Sequence, residues 1–210
     1  MSERFKTDQE EFWAGKFGDD YIARNGGDAL LGSNISFLAK MLNRCPQAKS
    51  LIEFGANIGM NLRGIRALRP QMELDAIEIN AMAVDELRAW GGAKQIYHQS
   101  VLDFQSDRTW DIAFIKGVLI HINPDFLPQV YESQFRASGR YILVVEYYNP
   151  TPVEINYRGH SGKLFKRDFA GEMLDKFPSL RVVDYGFVWK RDPVFPQDDL
   201  TWFVLEKNAR

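Results

Sequence analysis

The chain has 210 residues, of which 45% are hydrophobic, and its formal net charge at pH 7 is -2. This length suits a single domain over residues 1–210 and is too short for two domains of ordinary size. The charge lacks the basic excess of a nucleic-acid binder, and no apolar run approaches the roughly 20 residues that cross a bilayer.

The amino-terminal part, residues 1–45, is predicted to be helical. Aromatic and apolar side chains between Thr7 and Asn25 follow a spacing close to 3.6 residues, which Gly15 and Gly18 interrupt, so we expect a broken helix. A further helix over residues 34–43 should end at Cys45-Pro46. The segment either covers a sheet edge or folds over a ligand as a lid.

Alternating apolar strands and helices follow. The predicted strands cover residues 50–54, 73–79, 95–101, the first part of 111–122, and 140–147. A polar connection over residues 148–168 then leads to a helix, 169–177, and to two strands, 180–189 and 200–206. The pattern predicts an α/β fold with one Rossmann-like, doubly wound, seven-stranded sheet. The sheet should be mostly parallel, with a C-terminal antiparallel hairpin at one edge.

The turn after the first strand predicts a nucleotide site. It reads Glu53-Phe-Gly55-Ala-Asn57-Ile-Gly59 and leads into a helix. Glu78 follows about 20 residues after the turn, where nucleotide-binding folds place the carboxylate that accepts ribose hydroxyls. A dinucleotide fingerprint would need glycine at positions 57 and 60, and no G-K-[ST] sequence closes a phosphate loop.

The pattern E-x-G-x-N-x-G resembles motif I of the class I S-adenosylmethionine-dependent methyltransferases, with Asn57 in place of the middle glycine. This resemblance implies S-adenosylmethionine as cofactor, with Glu78 on the ribose and Asp103-Phe104 near the adenine. Arg24 is a candidate partner of the methionine carboxylate. The predicted cofactor-binding residues are Arg24, Glu53, Gly55, Asn57, Gly59, Asn61, Glu78, Ile79, Asn80, Leu102, Asp103, Phe104, Lys116, Gly117 and Val118.

Further stretches resemble the pseudaminic acid biosynthesis-associated methylase family. They are Phe12-Trp13, Phe17-Gly18, residues 146–154, Tyr157-Arg-Gly-His160, residues 164–170 and residues 198–203. This resemblance implies a methyltransferase that acts on a nonulosonic acid, its nucleotide-sugar precursor or a related surface glycan. The partner is therefore expected to be a small sugar or nucleotide sugar.

Candidate catalytic and substrate-binding residues follow the fourth and fifth strands. His121 and His160 could each take a proton from an acceptor near neutral pH, although His121 could instead be a packed or helix-capping histidine. The connection, residues 148–168, is predicted to face the substrate. The predicted substrate-binding residues are Tyr147, Tyr148, Tyr157, Arg158, Lys166 and Arg167, although the basic cluster could also be a solvated face. No histidine pair has metal-ligand spacing, so no metal site is expected.

Two other functions stay open at this point. A protein with this site could bind the cofactor without turnover, or it could be a nicotinamide-dependent sugar-modifying enzyme, against which Asn57 and Met60 argue. The acceptor atom, the sugar and the oligomeric state are not defined by the sequence. The single cysteine and the polar start of the chain predict a cytoplasmic protein.

Overall fold

The computed structural model describes residues 5–22, 24, 27–106 and 108–208. Its helices are α1 Asp8–Ala14, α2 Lys16–Ile22, α3 Asp28–Leu42, α4 Met60–Leu68, α5 Ala81–Trp90, α6 Leu127–Ala137 and α7 Phe169–Lys176, with short 3-10 helices at Leu119–His121 and Pro124–Phe126. In these described ranges, no helix is long and apolar enough to span a membrane.

Seven strands form one sheet: β1 Ser50–Phe54, β2 Glu73–Glu78, β3 Gln95–His98, β4 Trp110–Lys116, β5 Ser138–Glu146, β8 Leu180–Val188 and β9 Leu200–Lys207. Their order in the sheet is β3-β2-β1-β4-β5-β9-β8. The first five are parallel, whereas β9 runs antiparallel to both β5 and β8. This confirms the predicted α/β fold, the seven-stranded sheet and the C-terminal hairpin.

Both faces of the sheet are covered, which explains why the central strands read as continuous apolar runs. Side chains of β1 alternate between two cores: Leu51 packs with α3, α4 and α5, and Ile52 packs with α6 and α7. The strands β1 and β4 are neighbours, but the chain passes from β1 to β2 on one side of the pair and from β4 to β5 on the other side. The strand order therefore reverses between β1 and β4. Ligands bind at the carboxyl ends of strands at such a point.

The broken amino-terminal helix is confirmed as α1 and α2, which meet at Gly15. The first begins with a capping box, in which the Thr7 hydroxyl accepts from the Glu10 N–H and the Glu10 carboxylate accepts from the Thr7 N–H. The second is held against the start of α5, because the Asn80 side-chain amide donates to Asp19 Oδ1 at 2.8 Å and to the Trp13 carbonyl at 3.2 Å.

Two sequence-based boundaries are wrong by three residues or more, and one small sheet was not predicted. The helix α3 begins at Asp28 rather than at residue 34. Its apolar repeat is interrupted in the sequence at Gly32 and Ser33, although Ser33 lies on the buried face of the helix. The strand β3 ends at His98 rather than at residue 101, since the chain turns over residues 101–103. The connection, residues 148–168, contains a small antiparallel sheet of β6 Val153–Glu154 and β7 Phe165–Lys166, which was not predicted.

Candidate functional site

A cavity of about 610 Å³ opens over the carboxyl ends of β1, β2 and β4. Its floor is formed by the turns that follow these strands. Its cover comes from the N-terminal segment, from the connection at residues 157–158 and from the loop between β8 and β9. The cavity therefore lies at the point where the strand order reverses, which is where ligands bind in open α/β sheets.

The turn after β1 has a left-handed backbone at three positions: Gly55 with φ 73°, Asn57 with φ 49° and Gly59 with φ 79°. A Cβ atom on Gly55 would lie 2.5 Å from Val118 Cγ2, and one on Gly59 would lie 2.6 Å from Leu87 Cδ2. Asparagine tolerates the left-handed region better than other side chains do. Asn57 can therefore stand where motif I has its middle glycine.

The backbone N–H groups of this turn all bind within the protein. Those of Gly55 and Ala56 donate to the Ile77 carbonyl at 2.9 and 3.0 Å, and that of Gly59 donates to the Ala56 carbonyl at 2.9 Å. Asn57 N–H donates to Glu78 Oε2 at 2.7 Å, while Ile58 N–H donates to Asn57 Oδ1 at 2.6 Å. None of them is free to bind a phosphate, as the N–H groups of a phosphate loop are.

Glu78 ends β2 and is buried beside the cavity, which it lines. One carboxylate oxygen accepts from the Asn57 N–H, and the other accepts from the Asn80 N–H at 2.8 Å. Burial raises the pKa of this carboxyl, and the backbone hydrogen bonds oppose the rise. Each carboxylate oxygen keeps further acceptor capacity, so Glu78 can join the two turns and still bind hydroxyl groups.

A second group of charges lies at the ends of β1, β4 and β5. Glu53 is fully buried, and burial raises its pKa to about 8, although its Oε1 accepts from Asn61 Nδ2 at 2.7 Å. Lys116 lines the cavity, and burial lowers its pKa while the charges of Glu53, Asp198 and Glu146 oppose that change. The Asn61 side-chain oxygen is buried and has no hydrogen-bond partner among the described residues.

Aromatic side chains cover the cavity. The Trp13 ring lies 5.1 Å from Tyr21 and 4.5 Å from His121, measured between ring centroids. The Arg24 guanidinium carbon lies 5.7 Å from the ring centre of Tyr21. Two polar contacts join this cover to the connection: Gln9 Nε2 donates to the Gly162 carbonyl, and Lys163 Nζ donates to the Asp8 carbonyl.

The chain matches no protein-family model and no curated protein sequence. Its structure is similar to magnesium protoporphyrin IX methyltransferase from Synechocystis PCC 6803 (TM-score 0.69, 12% identity, 99% of this chain and 100% of that one). It is also similar to 1,6-didemethyltoxoflavin N1-methyltransferase from Burkholderia thailandensis (TM-score 0.68, 12% identity, 100% of this chain and 94% of that one). A third similar structure is a methyltransferase from Leishmania major (TM-score 0.67, 15% identity, 95% of this chain and 87% of that one). The fold is that of the class I methyltransferases.

Most of the cofactor-binding residues expected for a class I methyltransferase line the cavity. These are Arg24, Gly55, Asn57, Asn61, Glu78, Ile79, Asn80, Lys116, Gly117 and Val118. Glu53 and Gly59 are not among the lining residues; Glu53 lies behind Asn61, and Gly59 caps the start of α4.

The predicted adenine segment, Leu102 to Phe104, does not line the cavity. Because β3 ends early, the residues that reach the cavity wall are Ser100 and Val101. Leu102 and Phe104 are buried in the core, and Asp103 forms an ion pair with Lys6 at 2.5 Å. The error in the strand boundary therefore displaced this part of the predicted site.

The two candidate histidines occupy different places. His121 lines the cavity, and its Nδ1 lies 2.6 Å from the Lys163 carbonyl, so Nδ1 carries the proton and Nε2 is the acceptor. Burial lowers the pKa of His121 to about 4. His160 is exposed, packs edge-on against Phe12 at 5.1 Å and is not among the lining residues.

The predicted substrate-binding residues divide in the same way. Tyr147, Tyr157 and Arg158 line the cavity. Tyr148, Lys166 and Arg167 do not: Tyr148 is 45% exposed, the Lys166 ammonium lies 4.9 Å from the ring centre of Tyr147, and Arg167 pairs with Glu172 at 2.6 Å.

Several lining residues were not predicted. The N-terminal segment adds Gln9, Trp13 and Tyr21, and the far end of the chain adds Lys190, Gln197 and Asp198. The sequence pointed to some of them through the possible N-terminal lid and through the family resemblance of Phe12-Trp13 and of residues 198–203, but it gave no role to any of these side chains.

Proposed function

We propose that the protein is a methyltransferase that uses S-adenosylmethionine to methylate a small polar molecule. The observation that carries this proposal is a cavity in which a carboxylate lies beside a turn whose backbone N–H groups are all bonded within the protein. Glu78 offers a carboxylate for ribose hydroxyls, while the neighbouring N–H groups from Gly55 to Gly59 are already bonded within the protein. S-adenosylmethionine is a nucleoside that carries an amino acid and no phosphate.

The described residues suit this cofactor. Ile79 and Val101 give an apolar wall for a purine beside Glu78, and Gly55 leaves the backbone open where a side chain would collide with Val118. The unpartnered oxygen of Asn61 is an acceptor for the amino group of the methionine part. Aromatic faces of Trp13, Tyr21 and Tyr147 suit a positively charged sulfonium.

When bound, S-adenosylmethionine supplies an electrophilic methyl group. The residues of this chain have to hold an acceptor in line with that methyl group and exclude water. Such positioning can lower a barrier by roughly 7–11 kcal/mol in favourable cases. The cover over the cavity is placed to do so, and we propose that residues 1–45 act as a lid and that residues 148–168 face the substrate.

For the acceptor, we propose a nonulosonic acid, its nucleotide-sugar precursor or a related glycan, in agreement with the family resemblance. Two features support a sugar with an acidic group. Tyr147 and Tyr157 provide stacking and hydroxyl contacts, and Arg158 is a cavity-lining cation that forms no ion pair with a described carboxylate. A cytoplasmic location belongs to the same proposal.

The test is methyl transfer itself. The protein is incubated with methyl-labelled S-adenosylmethionine and with extracts of activated sugars and sugar acids, and the products are separated by mass spectrometry. We expect label in one small sugar product. Binding of S-adenosylhomocysteine without any transfer would favour a non-catalytic cofactor-binding protein, and label only in protein or nucleic acid would contradict the proposed substrate class.

A further inference from the structure

The loop between β8 and β9 reaches the cavity and is held in a fixed place. Gln197 is buried, and its Nε2 donates to Asn34 Oδ1 at 2.7 Å while its N–H donates to the Trp189 carbonyl at 3.2 Å. The loop ends at Leu200, which pairs with Val188 across the hairpin. Between these anchors, Asp198 lines the cavity together with Tyr147 and Lys116.

Three acidic residues line the cavity in the described part of the chain: Glu10, Glu78 and Asp198. The Glu10 carboxylate accepts from the N–H groups of Lys6 and Thr7, and that of Glu78 accepts from two backbone N–H groups. Asp198 accepts from no described backbone N–H and forms no ion pair with a described lysine or arginine. Its carboxylate therefore keeps most of its acceptor capacity for a molecule in the cavity.

Tyr147 lines the cavity beside this carboxylate. Burial raises the pKa of the Tyr147 phenol, and both the charge of Asp198 and a hydrogen bond to it add to that rise. The phenol therefore stays protonated beside Asp198. Burial lowers the pKa of Lys116, and the charges of Glu53, Asp198 and Glu146 oppose that change.

The two histidines are less suited to contact the acceptor. His121 has one ring nitrogen bound to Lys163 and is enclosed by Trp13 and Tyr157. His160 is outside the cavity lining. Of the three acidic lining residues in the described part of the chain, Asp198 is the exposed one.

We propose that Asp198 contacts the acceptor group and receives its proton, so that the methyl group goes to a hydroxyl or amino group and not to a carboxylate. This inference rests on the proposed function. The acceptor's lone pair forms the new bond to the methyl carbon, the electron pair of the S–CH₃ bond stays on sulfur, and the acceptor's proton passes to Asp198 and then to water. An acceptor carboxylate has no proton to give, and its charge would be repelled by Asp198.

The experiment compares Asp198→Asn with Asp199→Asn. Asp199 is the matched control, because it neighbours Asp198 but is not among the lining residues, and its carboxylate accepts from the Lys190 N–H at 3.1 Å and pairs with Lys190 Nζ at 3.4 Å. Each variant receives methyl-labelled S-adenosylmethionine and the sugar extract that the wild type labels. Affinity for S-adenosylhomocysteine is measured by calorimetry, and the labelled product is treated with mild alkali, which releases methanol from methyl esters only.

We expect Asp198→Asn to transfer label about 100-fold more slowly and to bind S-adenosylhomocysteine within about twofold of the wild type. Asp199→Asn should match the wild type in both, and the label should survive alkali. Transfer by Asp198→Asn within about threefold of the control, an equal loss of cofactor affinity, or release of labelled methanol would each overturn the inference alone. A wild type that binds no S-adenosylhomocysteine or labels no sugar would overturn the proposed function, and this inference with it.

Discussion

Replacing Glu78 with glutamine probes the nucleoside site directly. The carboxylate accepts from the Asn57 N–H at 2.7 Å and from the Asn80 N–H at 2.8 Å. Glutamine has the same size but only one acceptor oxygen, so its amide NH₂ must face one of these two donors. The ribose hydroxyls would then meet a neutral amide instead of a carboxylate, and the turn between β1 and α4 would lose one of its anchors.

The size of the effect follows from the hydrogen bonds that are lost. A hydrogen bond to a charged group contributes about 1.5–3 kcal/mol, which corresponds to an increase of about 10- to 100-fold in the dissociation constant of S-adenosylhomocysteine. The free energy of unfolding should change less, by under about 2 kcal/mol. The lost hydrogen bond destabilises the fold, whereas removal of a buried charge stabilises it, and the two effects oppose each other.

Calorimetry with S-adenosylhomocysteine measures the loss, and competition by adenosine and by 2′,3′-dideoxyadenosine locates it. Only the ligand with ribose hydroxyls should bind more weakly to Glu78→Gln than to the wild type. Glu73→Gln is the control, because Glu73 begins the same strand and pairs on the surface with Lys94 and Arg108. If Glu78→Gln lost equal affinity for adenosine and for 2′,3′-dideoxyadenosine, a ribose contact would be refuted. The same would follow if its affinity for S-adenosylhomocysteine stayed within about twofold of the wild type.

Three further predictions test the cover and the buried charges. Gly18→Ala places a Cβ 1.9 Å from the Trp13 carbonyl oxygen, so limited proteolysis should cut the N-terminal segment faster, whereas Gly32→Ala, with no atom within 4 Å, should behave as the wild type does. Burial raises the pKa of Glu53 to about 8, so the protonated side chain's contribution to the free energy of unfolding is lost as the pH rises from 4.5 through 8. In Glu53→Gln, the free energy of unfolding measured with urea should decrease less over this pH range. His121, with a pKa of about 4, stabilises the fold above pH 6.5 and less as the pH drops through 4, and NMR should show no titration of its ring near 6.5.

The order of strands and helices could be predicted because each buried strand is a short apolar run between turn residues. Ser50–Phe54 and Glu73–Glu78 are buried on both faces, and this leaves a clear signal in the sequence. The small sheet of Val153–Glu154 and Phe165–Lys166 left none, since two-residue strands have no measurable period and the first of them is exposed.

Within the candidate site, residues fixed by a strand end could be predicted, and residues fixed by long-range contacts could not. Glu78 is the last residue of β2, so its place could be predicted from the spacing. Asp198 reaches the cavity because Gln197 binds Asn34, which lies 163 residues away in the chain. His160 is not among the lining residues: it follows a turn in which Arg158 has φ 52° and Gly159 has φ 88°, and its ring packs against Phe12.

The central claim is that the cavity binds a nucleoside without phosphate. Calorimetric titration of the wild-type protein with S-adenosylhomocysteine and, separately, with NAD tests it most directly. We expect S-adenosylhomocysteine to bind at one site and NAD to give no heat of binding, because the N–H groups from Gly55 to Gly59 are already bonded within the protein. Binding of NAD together with no binding of S-adenosylhomocysteine would contradict the account.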